Sequence, residues 1–93
     1  MSEVAVIAHP NLAEASSLST GVILIIDDEA AIRESLQTLL EMEGYQVETA
    51  ATAQQGLICI GEHAFDLVLL DLALPDRNGI DLLHELRDHD PQL

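Results

Sequence analysis

The chain has 93 residues, room for one small domain and not two, and carries 17 acidic residues against three arginines and no lysine, for a formal charge of −14. That balance argues against a surface built for nucleic acid or an anionic membrane, both of which select basic patches. The single cysteine, Cys59, excludes an internal disulfide and fits a reducing compartment, and no apolar run approaches the roughly 20 residues that cross a bilayer, so a soluble cytoplasmic protein is expected.

Residues 1–20 are mostly small and polar, with Pro10 breaking any early helix and no basic residue ahead of the apolar patch, which makes a poor secretory signal. They read as a flexible leader, although the VAVIA stretch could pair as a stray strand. From residue 21 the pattern becomes regular. Val22 to Ile26 is a continuous aliphatic run, as expected of a strand covered on both faces. In AAIRESLQTLLEMEG, Ile32, Leu36, Leu39 and Leu40 fall at helical spacing, and Gly44 sits where a left-handed cap would end the helix.

Tyr45 to Ala50 alternates apolar with polar residues and predicts a second, more exposed strand. Thr52 stands three residues before Gln55, a capping box for a helix running to about His63, with Leu57 and Ile60 on its buried stripe. Cys59 lies in that helix as a buried structural thiol. Asp66 to Leu70 predicts a third strand, buried like the first. After Asp71, the segment LALPDRNG is turn chemistry, and a last helix follows with Ile80, Leu83 and Leu86 facing inward.

This alternation predicts an α/β domain with a parallel sheet and right-handed crossovers. In such sheets ligands bind beyond the carboxyl ends of the strands, where strand order reverses. The first strand ends at Asp27, Asp28 and Glu29, and the third ends at Asp71. If those strands are neighbours, carboxylates converge on one crevice, and they cannot all stay ionised without a counter-charge. With no lysine in the chain, a bound cation is the economical answer. Oxygen ligands select a hard ion, and a few carboxylates with open positions suit Mg²⁺. The histidines at 9, 63, 84 and 89 fall outside the crevice, which counts against zinc. Glu29 fits the first turn of the following helix.

IIDDE followed by DLVLLDLALPDRNG, about 40 residues on, resembles the receiver domain of two-component response regulators from about Val22 to Leu93. The resemblance implies a flavodoxin-like, doubly wound parallel sheet of order 2-1-3-4-5. It implies Asp71 as phosphoacceptor, Asp28 as a direct Mg²⁺ ligand, Asp27 as a ligand mainly through water, and the backbone carbonyl of Ala73 as another. Pro75 and Gly79 would shape the adjoining loop. A sensor histidine kinase would be the phosphoryl donor, and an output domain, of the kind that regulates transcription, the recipient of the signal. The spelling of residues 25–50 resembles receivers joined to transcriptional activators with an ATPase module.

Receiver domains continue through two further β–α units, with a Ser or Thr after the fourth strand and a Lys after the fifth. This chain stops at PQL and has no lysine, and Arg77 stands where the family often has methionine. The expectation is a receiver over residues 21–93 that is incomplete at its C-terminus, with only the first three β–α units. Its third strand would then be an open apolar edge inviting self-association or the missing half. Two rivals remain: a binding-only pseudo-receiver or non-functional fragment, and an aspartyl-nucleophile phosphatase. The second expects another Asp two residues after the nucleophile, where this chain has Ala73.

Overall fold

The structure, a computed structural model, describes residues 4–8 and 21–91. In chain order the elements are β1 (Val4–Ala8), β2 (Val22–Ile26), α1 (Ala30–Met42), β3 (Gln46–Ala50), α2 (Ala53–Glu62), β4 (Leu67–Asp71) and α3 (Gly79–His89). The sheet order is β1-β4-β2-β3. β2 runs parallel to both β3 and β4, so the three β–α units have the expected doubly wound arrangement with β2 central. The third strand lies one residue further along the chain than its sequence suggested, and takes in Asp71.

β1 corrects the expectation of an open edge. Val4–Ala8 lies antiparallel against β4, with Val4 opposite Asp71 and Ala8 opposite Leu67. The mobile-leader reading therefore fails for these five residues, and the alternative of a paired VAVIA strand is what is found. Residues 1–3 and 9–20 of that leader lie outside the described residues. The physical reason is the one that predicted trouble at this edge. β4 offers a row of unpaired N–H and C=O groups beside apolar side chains, and an uncharged, β-branched segment of the same chain satisfies them.

Leu24 and Ile26 of β2, with Val68 and Leu70 of β4, face a core closed by Ala53 of α2, Leu82 and Leu86 of α3, and Phe65 and Leu74 from loops. Ile23 and Ile25, equally buried, take the other face by the two-residue period of a strand, the side where α1 lies. α1 rides high there and has no fully buried residue. Ile32, Leu36 and Leu40 are half-buried, whereas Leu39, assigned to the same stripe, is 60 % exposed. On α3 the inward positions are Leu82 and Leu86 with Leu83 half-buried. Ile80, expected inside, is 54 % exposed. Both misses are errors of helical phase: Leu39 stands about 100° from the half-buried Leu40, and Ile80 stands about 200° from the buried Leu82.

Gly44 has φ of 97°, and the end of α1 is a Schellman motif: Gly44 N–H donates to Glu41 O (3.0 Å) and Tyr45 N–H to Leu40 O (3.2 Å). α2 carries two glycines with opposite meaning. A Cβ on Gly56 would lie 2.5 Å from Cδ1 of the buried Ile26, while one on Gly61 would meet nothing within 4 Å. Gly61→Ala should therefore stabilise by about 0.5–1 kcal/mol through helix propensity. Gly56→Ala should lose that gain to overpacking and destabilise by about 1 kcal/mol net. Urea unfolding of the two variants checks the sign reversal.

Candidate functional site

The crevice is built by register. Ile26 of β2 pairs with Leu70 of β4, so the next residue of each strand, Asp27 and Asp71, stand side by side where the strands end. Asp28 follows on the loop into α1. The carboxylates of Asp27, Asp28 and Asp71 each present an oxygen, and those oxygens lie within 4.8 Å of one another. Among the described residues this is the one group of three or more side chains able to share a metal ion. Asp71 is 1 % exposed, Asp27 4 %, and Asp28 lies open to solvent.

Each buried carboxylate uses one oxygen to hold its own loop. Asp27 Oδ1 accepts from Glu29 N–H (2.9 Å), and Asp71 Oδ1 accepts from Ala73 N–H (2.9 Å). Asp71 Oδ2 is buried with no hydrogen-bond partner. A buried carboxylate oxygen left unpaired is unfavourable by several kcal/mol unless a cation or another group satisfies it. The donor set fits a hard divalent ion such as Mg²⁺: oxygen atoms only, two of them anchored and one residue open to water.

The following loop is held at several points. Leu74 is buried in the core, and Asn78 caps α3 by accepting from Ile80 N–H (2.8 Å) and Asp81 N–H (3.4 Å). Gly79 packs so closely that a Cβ there would lie 2.5 Å from Leu72 Cα. Pro75 is exposed in the turn. Arg77 pairs with Glu85 along α3, consistent with a surface role. Glu29 takes the N-cap position of α1 without a side-chain cap bond.

Family-level likeness can be set on this geometry. The family model of the response regulator receiver domain matches residues 23–93. The chain belongs to the receiver domain family. Among curated relatives, the receiver is similar to the alginate biosynthesis transcriptional regulatory protein AlgB of Pseudomonas aeruginosa, 42 % identical over 78 residues, which are 84 % of this chain and 17 % of AlgB. The transcriptional regulatory protein KdpE of Mycobacterium tuberculosis is 48 % identical over 66 residues, 71 % of this chain and 29 % of KdpE. Among solved structures, a CheY-like receiver domain protein from Methanospirillum hungatei superposes with a TM-score of 0.76 at 46 % identity, covering 77 % of this chain and 58 % of that one. The regulator TrrA from Thermotoga maritima, in complex with Mg²⁺ and BeF, gives a TM-score of 0.72 at 35 % identity over 76 % of this chain and 62 % of TrrA. The receiver thus spans under a third of the two curated regulators and about three fifths of the two solved chains. The family is one of signalling switches.

Two side chains at the crevice escaped the sequence. Arg33, one turn into α1, donates from its guanidinium to the backbone carbonyl of Asp27 (2.8 Å). Asp76 accepts from two N–H groups of α2. The first was visible only as a cation five residues after Asp28, and the second only as a turn residue after Pro75. Cys59 is half-buried, and burial, then Glu48 and Glu62, push its thiol pKa up, so it stays protonated and inert. Among the described residues no helix is long and apolar enough to cross a membrane.

Proposed function

We propose that this receiver is a phosphoacceptor in a two-component phosphorelay. A phosphoryl group passes from a phosphohistidine of a sensor kinase to Asp71: the N–P bond breaks as a carboxylate oxygen of Asp71 bonds to phosphorus. Water later cleaves the acyl phosphate and resets the switch. Asp27, Asp28, Asp71 and the carbonyl of Ala73 would hold Mg²⁺, which neutralises charge on the phosphoryl oxygens when bound. The output is a partner or attached domain that regulates transcription in the cytoplasm, by analogy with AlgB and KdpE, which are named as transcriptional regulatory proteins. The receiver portion is residues 21–93.

The single observation that carries the reading is the buried, unpartnered Oδ2 of Asp71 beside two further carboxylates. Oδ1 is engaged with Ala73 N–H, which leaves Oδ2 as the oxygen without a protein partner. Arg33, by holding the Asp27 carbonyl, steadies the turn that carries Asp27 and Asp28.

The test is labelling with acetyl phosphate, a small donor that needs no kinase. Uptake of one phosphoryl group is expected with Mg²⁺, none with EDTA, and none in Asp71→Asn. Mg²⁺ binding without uptake would favour the binding-only reading. Repeated turnover of a generic phosphoester would favour the phosphatase.

A further inference from the structure

The proposed site is closed by a contact between segments far apart in sequence. Asp76, in the loop that leaves β4, accepts from Ala53 N–H with Oδ1 (3.0 Å) and from Gln54 N–H with Oδ2 (3.2 Å), both in the first turn of α2. That helix already has its own cap. Thr52 accepts from Gln55 N–H (3.1 Å), and Gln55 returns the bond by accepting from Ala51 N–H (2.9 Å). Thr52 and Gln55 leave the N–H groups of Ala53 and Gln54 without a local partner, and Asp76 takes both.

These bonds complete a circuit around the crevice. Asp27 N–H donates to Ala50 O (3.1 Å), joining the end of β2 to the end of β3. Two residues on, Thr52 begins α2, whose first turn grips Asp76. The loop from Asp76 runs back to Ala73, whose N–H is bonded to Asp71. We propose that Asp76 is a positioning residue: by bridging to α2 it holds the 72–78 loop, and Ala73 with it, at the distance from Asp27 and Asp28 that a bound divalent cation requires.

The charge agrees. Two N–H donors at a helix N-terminus favour the ionised form of the Asp76 carboxylate. The Ala53 N–H is the largest cause holding the Asp76 carboxyl below its ordinary range, ahead of those from Gln54, its own backbone N–H and the Arg77 charge. Asp76 is therefore ionised at neutral pH. Its folded pKa being depressed, the bridge is at full strength above the unfolded carboxylate range and is lost as pH falls through the folded value.

This inference rests on the Mg²⁺ site of the proposed function, and titration of the 93-residue chain with Mg²⁺, followed by amide NMR, separates the two. Asp76→Ala is expected to weaken Mg²⁺ roughly tenfold, as loss of an outer-shell support does. Asp76→Asn, which keeps one acceptor, should fall between it and wild type. Thr52→Ala, which frays the same helix without touching the loop, should change affinity less than about twofold. The Asp76→Ala effect should persist in 0.5 M KCl, where a through-space charge effect is screened. In wild type the Ala53 and Gln54 amides should shift on adding Mg²⁺. Equal affinities in wild type and Asp76→Ala, an effect abolished by salt, or an equal loss in Thr52→Ala would overturn the proposal. If Asp76→Ala does not fold, Asp76→Asn and the wild-type amide shifts decide: unmoved amides and an unchanged affinity overturn it. No Mg²⁺ binding by wild type would overturn the site itself and this role with it.

Discussion

Mg²⁺ at a hundred times its dissociation constant should stabilise the wild-type chain by about 2.7 kcal/mol, since only the folded state brings the three carboxylates together. The gain has two sources. Asp27, Asp28 and Asp71 repel one another within 4.8 Å, and Asp71 Oδ2 is buried without a partner. A divalent cation relieves both. Asp28→Ala removes the solvent-exposed member and should abolish the gain. Without metal the same variant should be more stable than wild type, by on the order of 1 kcal/mol, because one of the repelling charges is gone. Opposite signs with and without Mg²⁺ are the signature, read by urea unfolding in Mg²⁺ and in EDTA. Equal Mg²⁺-induced shifts in wild type and Asp28→Ala would sink the assignment of this crevice.

The same pair of measurements weighs the buried members. Asp71→Asn keeps an oxygen that can accept from Ala73 N–H, so its loop should survive while its share of metal affinity falls. Asp27 does structural work as well, because its Oδ1 accepts from Glu29 N–H at the entry to α1. A substitution there mixes loss of metal with loss of the turn. Asp28 makes the cleaner test.

Strand identity and the acidic crevice were legible in the sequence for a simple reason. Aliphatic runs such as Val22–Ile26 bury on both faces, and carboxylates at their carboxyl ends have only one place to go when β2 and β4 pair. Helix phase was less legible, because Leu39 and Leu40, or Leu82 and Leu83, offer adjacent apolar residues and packing against the sheet decides between them. Asp76 was unreadable for a different reason. Its partners lie 23 and 22 residues away, and nothing local marks a turn aspartate as the second cap of a distant helix.

β1 was the least foreseeable element, and removing it is expected to have the largest effect on the fold. VAVIA has the propensity of a strand, but propensity does not name the partner. The partner was set by a deficit elsewhere, the unpaired outer side of β4, against which Val4–Ala8 lies from Asp71 to Leu67. Deleting residues 1–8 should expose that edge again. The lost ladder, at about 0.5–1.5 kcal/mol per hydrogen bond, should lower stability by about 2–4 kcal/mol. Leu67 and Leu69, half-buried in β4, would then line an edge whose only charges stand at its ends, at Asp66 and Asp71. The shortened chain should self-associate in a concentration-dependent way on analytical ultracentrifugation, and a peptide of sequence MSEVAVIA added in excess should return it to monomer. Val6, 65 % exposed, adds little by its side chain, so Val6→Thr should leave stability within about 0.5 kcal/mol of wild type. A shortened chain that stayed monomeric and equally stable would mean that β4 needs no neighbour.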